Sequence, residues 1–225
     1  MLEAMLMGGG SMGLYFPNSG PGSKFLVMGN TTMGYFGMVT PEELFTRVQL
    51  QEAIGVFGGT LQTKAFTWVK VMMDSKVLFV PSEPVTINTS WNALNSAGAV
   101  YGDSARIYGY DKAFKMRLPV GDVSDPTGGS DIAIDSSAGI RAAEWFRFIA
   151  AVGGYGYANY SGPRWQLLAQ TTLGQSGYSM MQNTVTTPSN SALALGVLRR
   201  TSTPKVSSTR YWLPFLELDQ TWTPV

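Results

Sequence analysis

The chain contains no cysteine and no histidine. Without thiols there are no disulfide staples and no thiolate nucleophile. Without imidazole there is no Ser-His or Cys-His triad, and no zinc site of the usual nitrogen and sulfur donors. Carboxylate, lysine, tyrosine and Ser-Lys chemistry are what remain, and neither catalysis nor a cofactor or metal is expected. Charge is scarce too: 14 % of the 225 residues are charged, where ordinary domains carry about a quarter. Sixteen Lys and Arg oppose fifteen Asp and Glu, a net charge of +1, so no long-range field draws in nucleic acid. No run of about 18 apolar residues occurs, and membrane insertion is not expected. Met1-Leu2-Glu3-Ala4-Met5-Leu6-Met7-Gly8 has neither a basic region nor a sustained apolar core. The expectation is no secretory signal, and synthesis in a cytoplasm.

What is present is 44 % apolar residues and 26 glycines. The surface is therefore covered by Ser, Thr, Asn, Gln and Gly, which suits permanent packing against other proteins or the neutral hydrogen bonding of sugars. The length allows one substantial domain plus a smaller segment. Gly55 to Thr60 is a glycine-rich break. It divides an N-terminal arm and small anchoring domain, 1–58, from a globular module, 59–225.

Breakers fill residues 1–24, and Leu14-Tyr15-Phe16 among them predicts an extended arm laid on a neighbouring subunit. Short strands are expected at 24–28 and 34–39, with Gly29-Asn30 turning between them. Thr40, Pro41 and Glu43 have the spacing of a capping box for a helix that Gly55 ends. Ala65 to Val80 predicts a hairpin turning near Asp74-Ser75, and Arg106 to Leu118 a second, with Gly109 in its turn. Ser90 caps a short helix, Trp91 to Asn95, that Gly98 closes. The main amphipathic helix starts at Ser136 or Ser137 and ends at Gly153, burying Trp145, Phe148, Ile149 and Val152. Arg141, Glu144 and Arg147 pair on its outer face. Strands are expected at 164–169 and 192–199.

The run Tyr211-Trp212-Leu213-Pro214-Phe215-Leu216-Glu217-Leu218 reads as the last strand of the core, buried on both faces. Pro214 cannot donate to a ladder, which places this strand at an edge or at a bulge. The class is α+β: short antiparallel strands and hairpins with one main helix. Trp68, Trp91, Trp145, Phe148, Trp212, Pro214 and Leu216 are the expected core.

Three constellations bear on chemistry. Asp122, Asp125, Asp131 and Asp135 lie in one long polar loop, spaced by three, six and four residues. That spacing matches no EF-hand; a solvated loop is favoured over calcium or paired-carboxylate catalysis. Glu144 beside Trp145 reads as helix packing. Residues 153–162 combine Tyr, Gly, Asn and Ser, rigid aromatic area among adaptable polar groups. Tyr155, Tyr157, Asn159, Tyr160 and the following Trp165 are candidates for stacking on sugar rings, and an inter-subunit contact accounts for them equally well.

The order of several short motifs resembles tailed-bacteriophage virion proteins of the tail-fibre and collar type. These are Gly34-Tyr35-Phe36-Gly37 with Glu43-Leu44, Trp68-Val69-Lys70, Lys76-Val77-Leu78-Phe79-Val80, Ser90-Trp91 and Val100-Tyr101-Gly102. Met116-Arg117-Leu118, Glu144-Trp145 and Trp212-x-Pro214-x-Leu216-Glu217-Leu218 continue the pattern, which covers most of 30–218. Tyr211 and Leu213 stand where that family's closing motif carries Gly and Arg. The resemblance implies a repeated structural subunit in the tail, collar or capsid surface of a virion, made in the host bacterial cytoplasm. It implies partners among other virion proteins and copies of itself, and a C-type-lectin-like module displayed to a host cell-surface glycan. A decoration or neck protein with no ligand is the alternative. A glycan-cleaving enzyme using two loop aspartates or Glu144 is the reading from another class.

Overall fold

The structure, a computed structural model, describes residues 13–55, 59–127, 132–133, 138–153, 157, 160–168, 179–185, 191–195, 199–207 and 210–221. In chain order they form β1 (Met28–Gly29), β2 (Met33–Val39), α1 (Arg47–Ile54), β3 (Thr60–Leu61), β4 (Trp68–Met73), β5 (Lys76–Pro81) and β6 (Thr86–Thr89). Then follow α2 (Trp91–Ser96), β7 (Arg106–Gly109), β8 (Lys112–Arg117), β9 (Ile132–Ala133), α3 (Ala138–Ala142) and α4 (Glu144–Gly153). β10 (Ser179–Thr184), β11 (Ser191–Leu195), β12 (Arg199–Pro204), β13 (Arg210–Trp212) and β14 (Phe215–Leu218) complete the set. Among the described residues the strands make two seven-stranded sheets, ordered β1-β2-β4-β5-β14-β8-β7 and β3-β6-β13-β10-β11-β12-β9. The class is α+β with sheet predominant and short helices.

β4 shows why the first sheet lies inside the molecule. Its residues alternate between two cores: Val69, Val71 and Met73 meet Trp145, Phe148 and Phe215 on one side, while Trp68 and Met72 meet Phe36, Phe79 and Leu216 on the other. A strand covered on both faces reads as a near-continuous apolar run, as this one does. β4 and β5 turn through Asp74 and Ser75, whose positive φ of 48° and 65° is the left-handed pair that matches strand twist. In the second hairpin the left-handed residues are Tyr110 and Asp111, at 56° and 55°; Gly109 still belongs to β7. All seven expected core residues are buried.

The C-terminal run is not one strand. Residues Arg210–Trp212 lie between β6 and β10 in the second sheet, and Phe215–Leu218 lie between β5 and β8 in the first. Neither half is at an edge. Leu213 and Pro214 carry the chain from one sheet to the other. Proline, lacking an N–H, is tolerated at that step because no ladder bond is required there.

Other expectations are corrected by long-range partners. Thr40 and Glu43 exchange the capping-box bonds around a turn, but the helix begins at Arg47 with Thr46 and Gln49 as its box. Gly55 ends it in the left-handed conformation, φ 61°. The main helix is broken: Ala143 interrupts it, and Trp145 donates its N–H to Val120 O at 3.0 Å instead of continuing α3. The expected caps Ser136 and Ser137 lie outside the described residues. Residues 164–168 form no strand; Trp165 and Leu167 donate to Ala151 O (2.6 Å) and Val152 O (2.8 Å). They satisfy carbonyls in the last turn of α4 that the helix leaves open. The expected boundary at 58/59 falls between β2 and β4, which are neighbours in one sheet.

Candidate functional site

Of the five aromatic-segment candidates, Tyr155 and Asn159 lie outside the described residues. Tyr157 is buried, its ring 4.7 Å from that of Phe146. Tyr160 stands edge-on to the same Phe146 at 5.5 Å, and Trp165 tilts over Tyr35 at 5.9 Å. Both keep part of their rings in solvent. Arg164 fastens the segment by donating to the carbonyls of Tyr157 (2.7 Å) and Tyr160 (2.9 Å). Burial raises the Tyr160 phenol, against the opposing charges of Arg147 and Arg164. Among the described candidates Tyr160 and Trp165 thus keep exposed ring surface, whereas Tyr157 packs against Phe146 of the helix.

The acidic loop is held by hydrogen bonds. Asp122 is buried and accepts from Ser124 N (3.1 Å) and Thr127 Oγ1 (2.8 Å). Asp125 Oδ1 accepts from both the N–H and the hydroxyl of Thr184, each at 2.8 Å. Asn183 donates to the carbonyls of Asp122 and Ser124, closing the loop onto β10. Asp131 and Asp135 lie outside the described residues, and among those described no group of three acids is placed to hold a metal ion.

Glu144 is engaged from the side opposite its expected helical partners. Arg117 on β8 donates to both its oxygens at 2.7 Å, and Val120 N–H adds a third bond at 3.1 Å. Arg117 also reaches Glu217 on β14 at 2.9 Å. Burial alone pulls the Arg117 guanidinium down, but the two carboxylates outweigh it and hold it above its ordinary value. Burial pushes the Glu217 carboxyl up; Arg117 and Lys76 outweigh that and hold it below the usual carboxylate range. Arg147 turns instead to Asp74 in the β4–β5 turn, at 2.6 Å.

The charged group that sequence reading passed over is Lys70. It lies in the middle of β4 with no exposed surface, where the strand's alternation puts it on the Trp68 and Met72 side. Its Nζ donates to Ser19 Oγ (2.9 Å), Pro21 O (2.8 Å) and Ser23 O (2.6 Å), and the rings of Phe36 and Phe79 flank it. A lysine inside an otherwise apolar strand was the signal in the sequence. Burial, then the charge of Lys24, lowers it to about 7. Ser19 and Lys70 stand at the distance of a Ser-Lys pair, but Ser19 is 2 % exposed. In its protonated form Lys70 directs three protons at three oxygens and has no lone pair for the serine proton, and in either form the buried Ser19 hydroxyl is closed to a substrate. The arrangement is a tie that holds the 17–24 loop against the sheet. Comparison of the chain with protein-family models, curated proteins and solved structures finds no match.

Proposed function

We propose that this chain is a structural component of a bacteriophage virion, a tail, collar or capsid-surface subunit that works through contact with other virion proteins and copies of itself. The observation that carries the reading is an apolar strip along the outer edge of the first sheet. Residues 13–16 run antiparallel to 24–26, Leu26 donating to Leu14 O and Phe16 to Lys24 O, beside the edge strand β1. Leu14, Tyr15, Phe25 and Val27 are 45, 52, 46 and 63 % exposed on this hairpin, and the rings of Tyr15 and Phe25 touch at 4.8 Å. Leu26, between Phe25 and Val27, points inward and is buried.

Four large apolar side chains beside a strand edge that no further described strand covers are a liability in a solitary protein. The occupant that fits is a second copy of this chain, because two antiparallel edges related by a two-fold axis complement each other. The motif order described above supports the virion setting. Contact with a host cell-surface glycan falls to Tyr160 and Trp165, and avidity in a repeated array makes individually weak contacts effective. If Tyr160→Ala and Trp165→Ala leave adsorption to host cells unchanged, the subunit is an assembly element of the decoration or neck kind.

The test is sedimentation velocity over a concentration series. The wild type is expected to self-associate, and Tyr15→Glu with Phe25→Glu to run as a folded monomer. A wild type that stays monomeric throughout, or a variant that associates equally well, overturns the reading.

A further inference from the structure

Three separate segments converge on the far side of the first sheet from Trp165: the 20–24 loop, the turn carrying Glu43, and the tip of the β7–β8 hairpin. Between them is a cleft of about 320 Å3 lined by Gly20, Pro21, Gly22, Lys24, Glu43, Tyr110 and Lys112. Its charges are unbalanced. Lys24, Lys70 and Lys112 form no ion pair among the described residues. Burial lowers Lys24 and the charge of Lys112 lowers it further. The one carboxylate in the lining, Glu43, accepts the Thr40 N–H at 3.0 Å.

The walls are fixed independently of any ligand. Lys24 Nζ donates to Gly20 O, and the buried Lys70 takes the carbonyls of Pro21 and Ser23. With those carbonyls engaged, the amides of Gly20 and Gly22 make no backbone hydrogen bond among the described residues. Tyr110 is held by its hydroxyl, which donates to Glu42 O at 2.7 Å, while its ring stays 52 % exposed. A rigid aromatic ring beside two ammonium groups that make no ion pair among the described residues, with one carboxylate in the same lining, suits a ligand with both an apolar ring face and a negative charge.

We infer that this cleft binds a sugar bearing an anionic group, its charge between Lys24 and Lys112 and its ring on Tyr110. Its volume matches one or two sugar units. The inference names a second site, distinct from Tyr160 and Trp165, and stands whether or not the sheet edge mediates assembly. A carboxylate on the sugar and a phosphate ester on it share the recognised chemistry.

The test is amide chemical-shift titration of the full chain with glucuronate, glucose 6-phosphate, glucose and inorganic phosphate. Saturable shifts at Gly20, Gly22, Lys24 and Lys112 in the millimolar range are expected with one or both anionic sugars, and weakening as salt is added. Response to glucuronate alone assigns a carboxylate sugar, and response to glucose 6-phosphate alone a phosphorylated one. Lys112→Glu, at a partly exposed position, is expected to abolish the response, and Tyr110→Ala to weaken it about tenfold, roughly the loss of one stacking contact. Unchanged shifts elsewhere in the spectrum show that both variants remain folded. No saturable shift with either anionic sugar overturns the inference, as does equal response to glucose. Equal binding of inorganic phosphate with no effect of Tyr110→Ala overturns the sugar component and leaves a bare anion site. Self-association of the sheet edge, measured on the same samples, reports separately on the assembly role.

Discussion

Arg117 holds Glu144 by two parallel hydrogen bonds of 2.7 Å, joining the strand β8 to the first turn of α4. The pair is nearly dry, with side chains 7 % and 16 % exposed. Removing Arg117 leaves the Glu144 carboxylate with only the Val120 N–H among its described partners, which costs about 3 kcal/mol or more at a buried site, whereas removing Glu144 still leaves Arg117 its bond to Glu217. Arg117→Ala is expected to lower the unfolding free energy by that amount, seen as a lower urea midpoint at unchanged slope. Glu144→Gln, which keeps a hydrogen-bonding carbonyl, is expected to cost less. A loss under about 1 kcal/mol for Arg117→Ala would show that the pair contributes no more than a surface ion pair.

Lys70 makes stability depend on pH. Its folded value of about 7 lies below the unfolded 10.5, so between those values the unfolded chain binds the extra proton. The penalty on the folded state is full below about pH 7 and is relieved as pH rises towards 10.5. Its carbonyl cage favours the ammonium and limits the gain, which we expect to be about 1–3 kcal/mol between neutral and alkaline pH. Urea unfolding at several pH values is the measurement, and Lys70→Met should lack this part of the rise. Identical pH profiles for wild type and Lys70→Met would contradict the assignment.

Trp68 and Trp212 are both fully buried but differ at the indole nitrogen. Trp68 Nε1 donates to Phe45 O at 2.9 Å, whereas Trp212 Nε1 has no hydrogen-bond partner among the described residues. Trp68→Phe orphans a carbonyl as well as removing volume; Trp212→Phe removes an unsatisfied donor. Trp68→Phe should therefore be the more destabilising by about 1–2 kcal/mol in thermal or urea unfolding. The reverse order would mean that packing, and not the polar atom, separates the two sites.

Ser75 adopts φ 65° in the β4–β5 turn, where glycine has no steric cost. Ser75→Gly is expected to raise stability by about 0.5–1 kcal/mol, with Asp74 still available to Arg147. Calorimetry showing a lowered Tm would place the strain elsewhere.

The sequence discloses what is local. Both hairpins, the Ser90 cap, the Gly55 stop and the apolar face of α4 follow from turn residues and periodicity within a dozen positions. It conceals what depends on distant chain. Glu144 and Arg147 have ideal spacing for each other, yet a guanidinium on β8 and a carboxylate in the β4–β5 turn are better placed. Thr40 and Glu43 form their capping bonds without a helix to cap, because the next turn carries an equally good box at Thr46 and Gln49. The sugar-stacking residues could be nominated by type, but the burial of Tyr157 depends on Phe146 and the route of the chain past α4. Lys70 stands out as a lysine in an apolar strand, but its partners in the 19–23 loop, like the cleft of Lys24, Tyr110 and Lys112, bring together separate parts of the chain and were out of reach.

The passage of residues 210–218 through both sheets has a mechanical meaning. Without that segment, no ladder among the described residues joins β7 and β8 to β5, or β3 and β6 to β10. Each sheet falls into two pieces at the same nine residues. Pulling or exchanging solvent into one layer should therefore loosen the other in the same event, and slow-exchanging amides in β5 and β10 should open together as a single cooperative unit.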